Sequence, residues 1–341
     1  MDTRFERAAQ LVEEGIQNGA YPAAVLSVSV GGKECLCRAF GKATTQTLFD
    51  MASVSKILAA TMVAFRFIET GRLRLYDKVS LFFDAPEDKK NITILQLMTH
   101  TSGIDPHFYL SERTDDPANA ASVILAEPLL HAPGEMPDYS CMGYILLGKI
   151  LEQIGGAPLD VLAQEWVFGP LGMTHTTYRP CGDIAPTELD PATQKPFCGV
   201  VHDENARFLN GISANAGVFS DIRDMRIFAD MLANGGKTAD GTAFLSPAML
   251  KKALYNYTPG MDEHRGLGFN LAGSPLVFLG DLLSPLSFGH TGFTGTSFAV
   301  DPETGLSVVL LTNRVCPTRE NPKLIRMRSL IHNACAGAMR D

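Results

Sequence analysis

The chain begins with helical periodicity and then switches to strand alternation. Phe5, Ala8, Ala9, Val12 and Ile16 fall on one face of an amphipathic helix. From Ala23 to Val30 the sequence AAVLSVSV alternates and is rich in valine; Gly31-Gly32 follows, and KECLCRAF resumes the strand pattern. Two glycines between two such runs predict a β-hairpin. Near the other end, TSFAV (296–300), a DPETG turn and LSVVLLT (306–312) predict a second hairpin. Asn321-Pro322 then reads as an N-cap with proline at the first helical position, opening a last helix that runs to about residue 336.

Between these ends the period is helical. FDMASVSKILAATMVAFRFIETG (49–71) is apolar almost all round and predicts a buried helix. Thr93 and Gln96 have capping-box spacing ahead of LQLMTH. YSCMGYILLGKILEQIGG (139–156) predicts a helix that ends on glycines. Ser220 is the expected cap of DIRDMRIFADMLANGG, and Ser246-Pro247 is the expected start of another helix. Turn-rich stretches at 105–120 and 174–210 separate these elements, and no internal repeat is visible. The simplest architecture is a sheet region of residues 1–50 and 211–341 with a mainly helical region, 51–210, inserted between its halves. Together they make one domain, with a cleft at the boundary as the natural ligand site.

Composition narrows the choices. Of 341 residues, 45% are hydrophobic and 19% charged, which describes a globular chain with a large core. A net charge of −8 argues against nucleic acid or an anionic membrane as partner. The N-terminus lacks the apolar core of a signal peptide, and no stretch is apolar enough to span a bilayer. With seven cysteines, an odd number, the expectation is reduced thiols and a cytoplasmic location.

The chemistry enters at the start of the apolar segment. Ser53 and Lys56 stand three residues apart, so on a helix they share a face in its first turn. Unpaired N–H groups there favour a developing anion, and the Ser53 amide is a natural oxyanion donor. A serine hydroxyl needs a base to become a nucleophile, and burial can lower a lysine's pKa until it serves as one. The plain alternative is a helix-start serine beside a snorkelling lysine, since S-x-x-K alone is a weak pattern. Two further pieces add weight. Tyr139-Ser140-Cys141 opens a helix after a turn-rich stretch, and a tyrosine near cations can relay protons. His290-Thr291-Gly292 lies on or beside a C-terminal strand, and the following amide, that of Phe293, is a second candidate oxyanion donor.

With MASVSK, LQLMTHTSGI, APGEMPDYSCMGYILLGKILE, GPLGMTHTTY and FGHTGFTGTSFAVDPETGLSVVLLTNR in this order, the chain resembles the serine β-lactamase and penicillin-binding-protein superfamily. It is most similar to the class C β-lactamase-related branch, and the resemblance covers nearly the whole chain. It implies an α+β fold, β-lactamase/transpeptidase-like, with an antiparallel sheet flanked by helices and an inserted helical subdomain. It also implies a serine acyl hydrolase working on a small ester, amide or peptide. Ser53 would be the acylated nucleophile, Lys56 its activator and Tyr139 the partner base. The Ser53 and Phe293 amides would form the oxyanion hole, and Cys141, His290, Thr291 and Gly292 would meet the substrate. No metal or organic cofactor is implied.

Two departures stand out. Cys141 replaces the asparagine of the family's Y-x-N motif, and a thiol is a poor hydrogen-bonding substitute. His290 replaces the lysine of K-T-G, so the permanent charge for a substrate carboxylate is lost. An esterase or peptidase with weak or no β-lactamase activity is therefore expected. The alternatives are a D,D-carboxypeptidase or D-amino-acid peptidase of peptidoglycan-type peptides and a non-hydrolytic penicillin-binding sensor. Cys141 reads either as a packed thiol or as a reactive one at a helix N-terminus. Arg314 reads either as a ligand for a substrate carboxylate or as a solvated cation. His202-Asp203-Glu204 and His100 read as structural, and Cys35 and Cys37 as buried thiols sharing one strand face.

Overall fold

In the computed structural model, residues 3–274 and 278–339 are described. Both predicted hairpins form, and they join in one sheet. The strands are β1 (Ala23–Val30), β2 (Lys33–Gly41), β3 (Phe49–Asp50), β4 (Phe219–Ser220), β5 (Asn270–Leu271), β6 (Phe288–Thr291), β7 (Ser297–Asp301) and β8 (Leu306–Thr312). Six of them make an antiparallel sheet in the order β2-β1-β8-β7-β6-β5. β1 and β8 join the two ends of the chain, pairing Ala24 with Thr312 through Val30 with Leu306.

Strand alternation assigns each face its own cover. Ala24, Leu26 and Val28 of β1 pack with Phe5, Val12 and Ile331, which come from the terminal segments and the helices Glu6–Gln17 and Lys323–Gly337. Ala23 and Val25 face the opposite way, into the larger core shared with the helix Ile222–Ala233 and the middle of the chain. β3 pairs with β4, which ties the entrance of the segment bearing Ser53 to residues 219–220.

Several local expectations hold. Thr93 and Gln96 form a capping box, and Ser246 caps the helix Pro247–Ala253. Others shift. Asp221 caps the helix Ile222–Ala233 by accepting the Asp224 amide, because Ser220 is engaged in β4. The helix after Tyr139 is Cys141–Gly155, capped by Ser140, so Tyr139 stays in the extended segment before it. The last helix begins at Lys323 with Pro322 at its N-cap. A register shift opposite Val28 and Ser29 sends Cys35 and Cys37 to the two different cores, so they do not share a face. Among the described residues no helix is long and apolar enough to cross a membrane.

Candidate active site

The segment carrying Ser53 is not one regular helix. After β3 the chain makes a 3₁₀ turn, Ala52–Val54, then a π-helical stretch, Lys56–Thr61, and only then the α-helix Met62–Glu69. Ala52 sits at φ +44°, a conformation that costs a residue with a Cβ. The buried Asp50 carboxylate holds this strained turn, accepting the amides of Ala52 at 2.8 Å and His202 at 2.7 Å. Burial pushes the Asp50 carboxyl up to about 6, against the pull of those two amides. π-helical turns inside helices concentrate at functional sites, and here the turn sets the phase of Lys56.

Lys56 is fully buried, and its ammonium donates to three acceptors: Ser53 Oγ at 3.1 Å, Cys141 Sγ at 3.3 Å and the Asn215 carbonyl at 3.0 Å. The predicted serine–lysine pair is therefore assembled. Burial does oppose the charge, but the anionic forms of Cys141 and Tyr139 outweigh it, and the ammonium is held above its ordinary value. Cys141, at the motif position where the resemblance implies asparagine, meets Lys56 through its sulfur.

Tyr139 is packed among positive or neutral groups. The Lys56 ammonium lies 4.8 Å from its ring centroid and the Arg265 guanidinium 5.3 Å. The rings of His100 and His290 lie 4.4 and 6.2 Å away. The Tyr139 hydroxyl is buried and makes no hydrogen bond of full geometry, although Lys56 lies close enough to interact with it through both charge and a weak hydrogen bond. Arg265 is itself buried and fixed by Glu263 and Asn270.

The third predicted piece arrives on β6. Thr294 and Thr296 donate their hydroxyls to the carbonyls of Asp50 and Met51 at 2.7 and 3.1 Å, which clamps this loop onto the nucleophile's turn. Gly292 is needed for that approach, since a Cβ there would lie 2.5 Å from the Met51 oxygen. Phe293 projects into the cleft, half exposed. His290 does not line the cleft. It is buried, its Nδ1 lies 2.8 Å from the Thr291 carbonyl, and burial with Lys56 and Arg265 pushes its pKa down to about 3. The ring is thus neutral at ordinary pH, more strictly than partial charging implied. Arg314 is turned into its own loop. It donates to the carbonyls of Phe293 at 2.8 Å and Asn321 at 2.8 Å, and its guanidinium covers the Phe293 ring at 4.6 Å. It braces the loop.

The cleft itself has a volume of about 240 Å³. Its lining includes Ser53, Tyr139 and Cys141, here termed the floor, and Phe293, His202, Asp203, Glu204 and Arg319, here termed the mouth. Arg319 was not singled out in the sequence. It bridges Glu188 and Glu204, each at 2.6 Å. His202 Nε2 lies 3.0 Å from Glu188, and its ring stacks with Phe293 at 5.8 Å. Asp203 caps the helix Glu204–Phe208 and accepts the Asn215 amide at 2.9 Å. Among the described residues, His175, Asp221 and Asp224 form the one group with three metal-ligating atoms close together. These atoms bind one another and neighbouring donors, with His175 Nδ1 2.6 Å from Asp221 and Arg223 2.7 Å from Asp224.

Comparison with known proteins gives one consistent answer. The beta-lactamase family profile matches residues 8–331. A provisionally named D-alanyl-D-alanine carboxypeptidase of Escherichia coli K12 is 30% identical, over 85% of this chain and 75% of that protein. An N-acetylmuramyl-L-alanine amidase of Bacillus subtilis strain 168 is 30% identical, over 94% of this chain and 84% of that one. Among solved structures, EstCE1, described as a hydrolase with promiscuous acyltransferase activity, superposes with a TM-score of 0.75 at 24% identity, covering 96% of this chain and 99% of its own. The octameric penicillin-binding protein homologue of Pyrococcus abyssi gives 0.77 at 21% identity, covering 97% of this chain and 77% of that one.

Proposed function

The chain belongs to the beta-lactamase family as a serine acyl hydrolase, and from that premise we propose that Ser53 is its acylated nucleophile and that its preferred substrates are esters or amides without a carboxylate beside the scissile bond. The observation that carries the first part is the Lys56 ammonium donating to Ser53 Oγ at the floor of a cleft that Tyr139 shares. With its ammonium held above its ordinary value, Lys56 would hold negative charge nearby. In its phenolate form Tyr139, which lines the same cleft, would accept the Ser53 proton as Oγ attacks the carbonyl carbon. The tetrahedral oxyanion would be held by the amides of Ser53 and Phe293. Its collapse expels the leaving group, which takes the proton from Tyr139. Water then adds to the acyl-enzyme, gives its proton to Tyr139, and Ser53 departs with that proton restored.

The charge inventory supports the substrate class. His290 is neutral, Arg314 is turned into its own loop, and Arg319 is held between two glutamates. Binding a carboxylate here would mean breaking an existing ion pair. The test is a matched pair of aryl esters, one neutral and one with a carboxylate next to the ester. The neutral ester is expected to have a kcat/KM at least about tenfold higher, the worth of one charge contact.

The second reading, a D,D-carboxypeptidase, is favoured by the name of the Escherichia coli relative. Release of D-alanine from a D-Ala-D-Ala peptide, with the anionic ester preferred over the neutral one, would establish it in place of the first.

A further inference from the structure

His100 lies outside the three motifs, in the loop after the short helix Ile94–Met98. It is buried and held at φ +57°, a left-handed conformation that costs a histidine of order 1 kcal/mol. Three contacts account for it. The His100 carbonyl accepts the amide of Asp138 at 2.7 Å. Its ring Nδ1 accepts the amide of Ser140 at 3.1 Å. These two residues flank Tyr139, and the imidazole lies against the tyrosine ring between them, 4.4 Å centroid to centroid and tilted by 34°.

The same contacts fix the tautomer. Nδ1 accepts an N–H, so it carries no proton, and in the neutral ring Nε2 must carry it. Burial, reinforced by Arg265, Lys56 and His290, holds the ring neutral by pushing its pKa well down. His290 has the opposite sense. Its Nδ1 faces a carbonyl and donates, which leaves Nε2 a bare acceptor. Both Nε2 atoms and the Tyr139 hydroxyl are buried without partners. Such groups cost about 1–3 kcal/mol each, and proton-transfer contacts often close only in the reacting complex.

We propose that His100 is the positioning residue for Tyr139: it clamps the tyrosine through both neighbouring amides and presents a fixed, neutral N–H donor that stabilises the tyrosine oxygen when it is anionic. His290 Nε2 supplies the matching acceptor when that oxygen carries its proton. The other charged or titratable groups near Tyr139 are Lys56, from the nucleophile's segment, Arg265, from the loop before β5, and Cys141 and Tyr144, from the following helix, the last stacked at 5.1 Å from the His100 ring.

The inference rests on Tyr139 handling the proton, and its test separates the two ideas. His100→Gln keeps an acceptor and an N–H donor, whereas His100→Met has similar length and neither. With p-nitrophenyl acetate, His100→Met is expected to lose about 100-fold in kcat with KM within about threefold, and the rising limb of its kcat/KM profile should move up by about one pH unit. His100→Gln should recover at least about tenfold of the rate and return the limb toward wild type. Equal losses in both variants with an unmoved limb would reduce His100 to packing and overturn the proposal, as would a wild-type profile in His100→Met. Should His100→Met fail to fold, a long-range proton–nitrogen spectrum of the wild type decides. A neutral His100 protonated at Nε2 near neutral pH supports the proposal, and one protonated at Nδ1 contradicts it. If Tyr139→Phe left the rate unchanged, the mechanism itself would fall, whatever the His100 variants did.

Discussion

The floor and the mouth of the cleft use the same kinds of side chain in opposite ways. At the mouth every charge has a partner. Burial works against the charges of Glu188 and Glu204, but Arg319 outweighs it and holds both carboxyls below their usual range. Asp203 is engaged by a helix amide and Asn215. Behind the floor, two buried cations, Lys56 and Arg265, surround a tyrosine whose hydroxyl is unpartnered, and two neutral histidines that do not line the cleft each leave a buried ring nitrogen unpaired. Unsatisfied buried groups are rare because they destabilise the fold. Three of the nine such groups found among the described residues lie together here, the Tyr139 hydroxyl and the two histidine nitrogens, where protons would move.

The strongest way to break this contrast is Tyr139→Phe. It removes an unpartnered hydroxyl from the floor, so kcat should fall about 1,000-fold while thermal stability stays level or rises by about 1 kcal/mol. A large loss of stability with little loss of rate would invert the reading.

Acid should act on both regions next, since burial also holds the mouth's His202 below its ordinary value. The His290 pKa is about 3 in the fold, below the unfolded value, so the stability from keeping it neutral is full above about pH 6.5 and is lost as the pH falls toward 3. The mouth's glutamates, also held low, lose their contribution only below about pH 4.3, the unfolded carboxylate value. Asp50, raised to about 6, runs the other way and gains on acidification. His290→Gln should therefore flatten the fall of unfolding free energy between pH 6.5 and 5, by about 2 kcal/mol over that interval. Urea melts at the two pH values measure it, and an unchanged slope would mean that His290 is charged in the fold.

The smallest effect belongs to the mouth. Arg319→Ala strands two partly exposed glutamates, and after solvent screening about 1 kcal/mol of stability should be lost, with kcat within about threefold. Initial rates and thermal melts on the same preparation check both halves. A catalytic collapse in this variant would move Arg319 into the chemistry.

Local signals were legible in the chain. Both hairpins follow from alternation and turn residues, and the capping box and the Ser246-Pro247 start form as their spacing implies. Ser53 and Lys56 were legible because three residues set their meeting. Arg265 and Arg319 were not, since each acts across a long separation, on Tyr139 and on Glu188. Arg314 drew attention in place of Arg319 because both stand in the segment after β8, and only the folded loop shows which one faces the cleft. The sign of the Lys56 shift also needed the fold. Burial alone predicts a lowered pKa, and the two acidic neighbours that reverse it lie more than eighty positions away.

The central claim, an acyl-enzyme on Ser53, is tested most directly by intact-protein mass after brief exposure to p-nitrophenyl acetate, with Ser53→Ala in parallel and turnover followed in both. An acetyl adduct on the wild type alone is expected, or no adduct but turnover that is lost in Ser53→Ala. An adduct that persists without turnover would favour the penicillin-binding sensor. Equal labelling and equal turnover in both proteins would contradict Ser53 as the nucleophile.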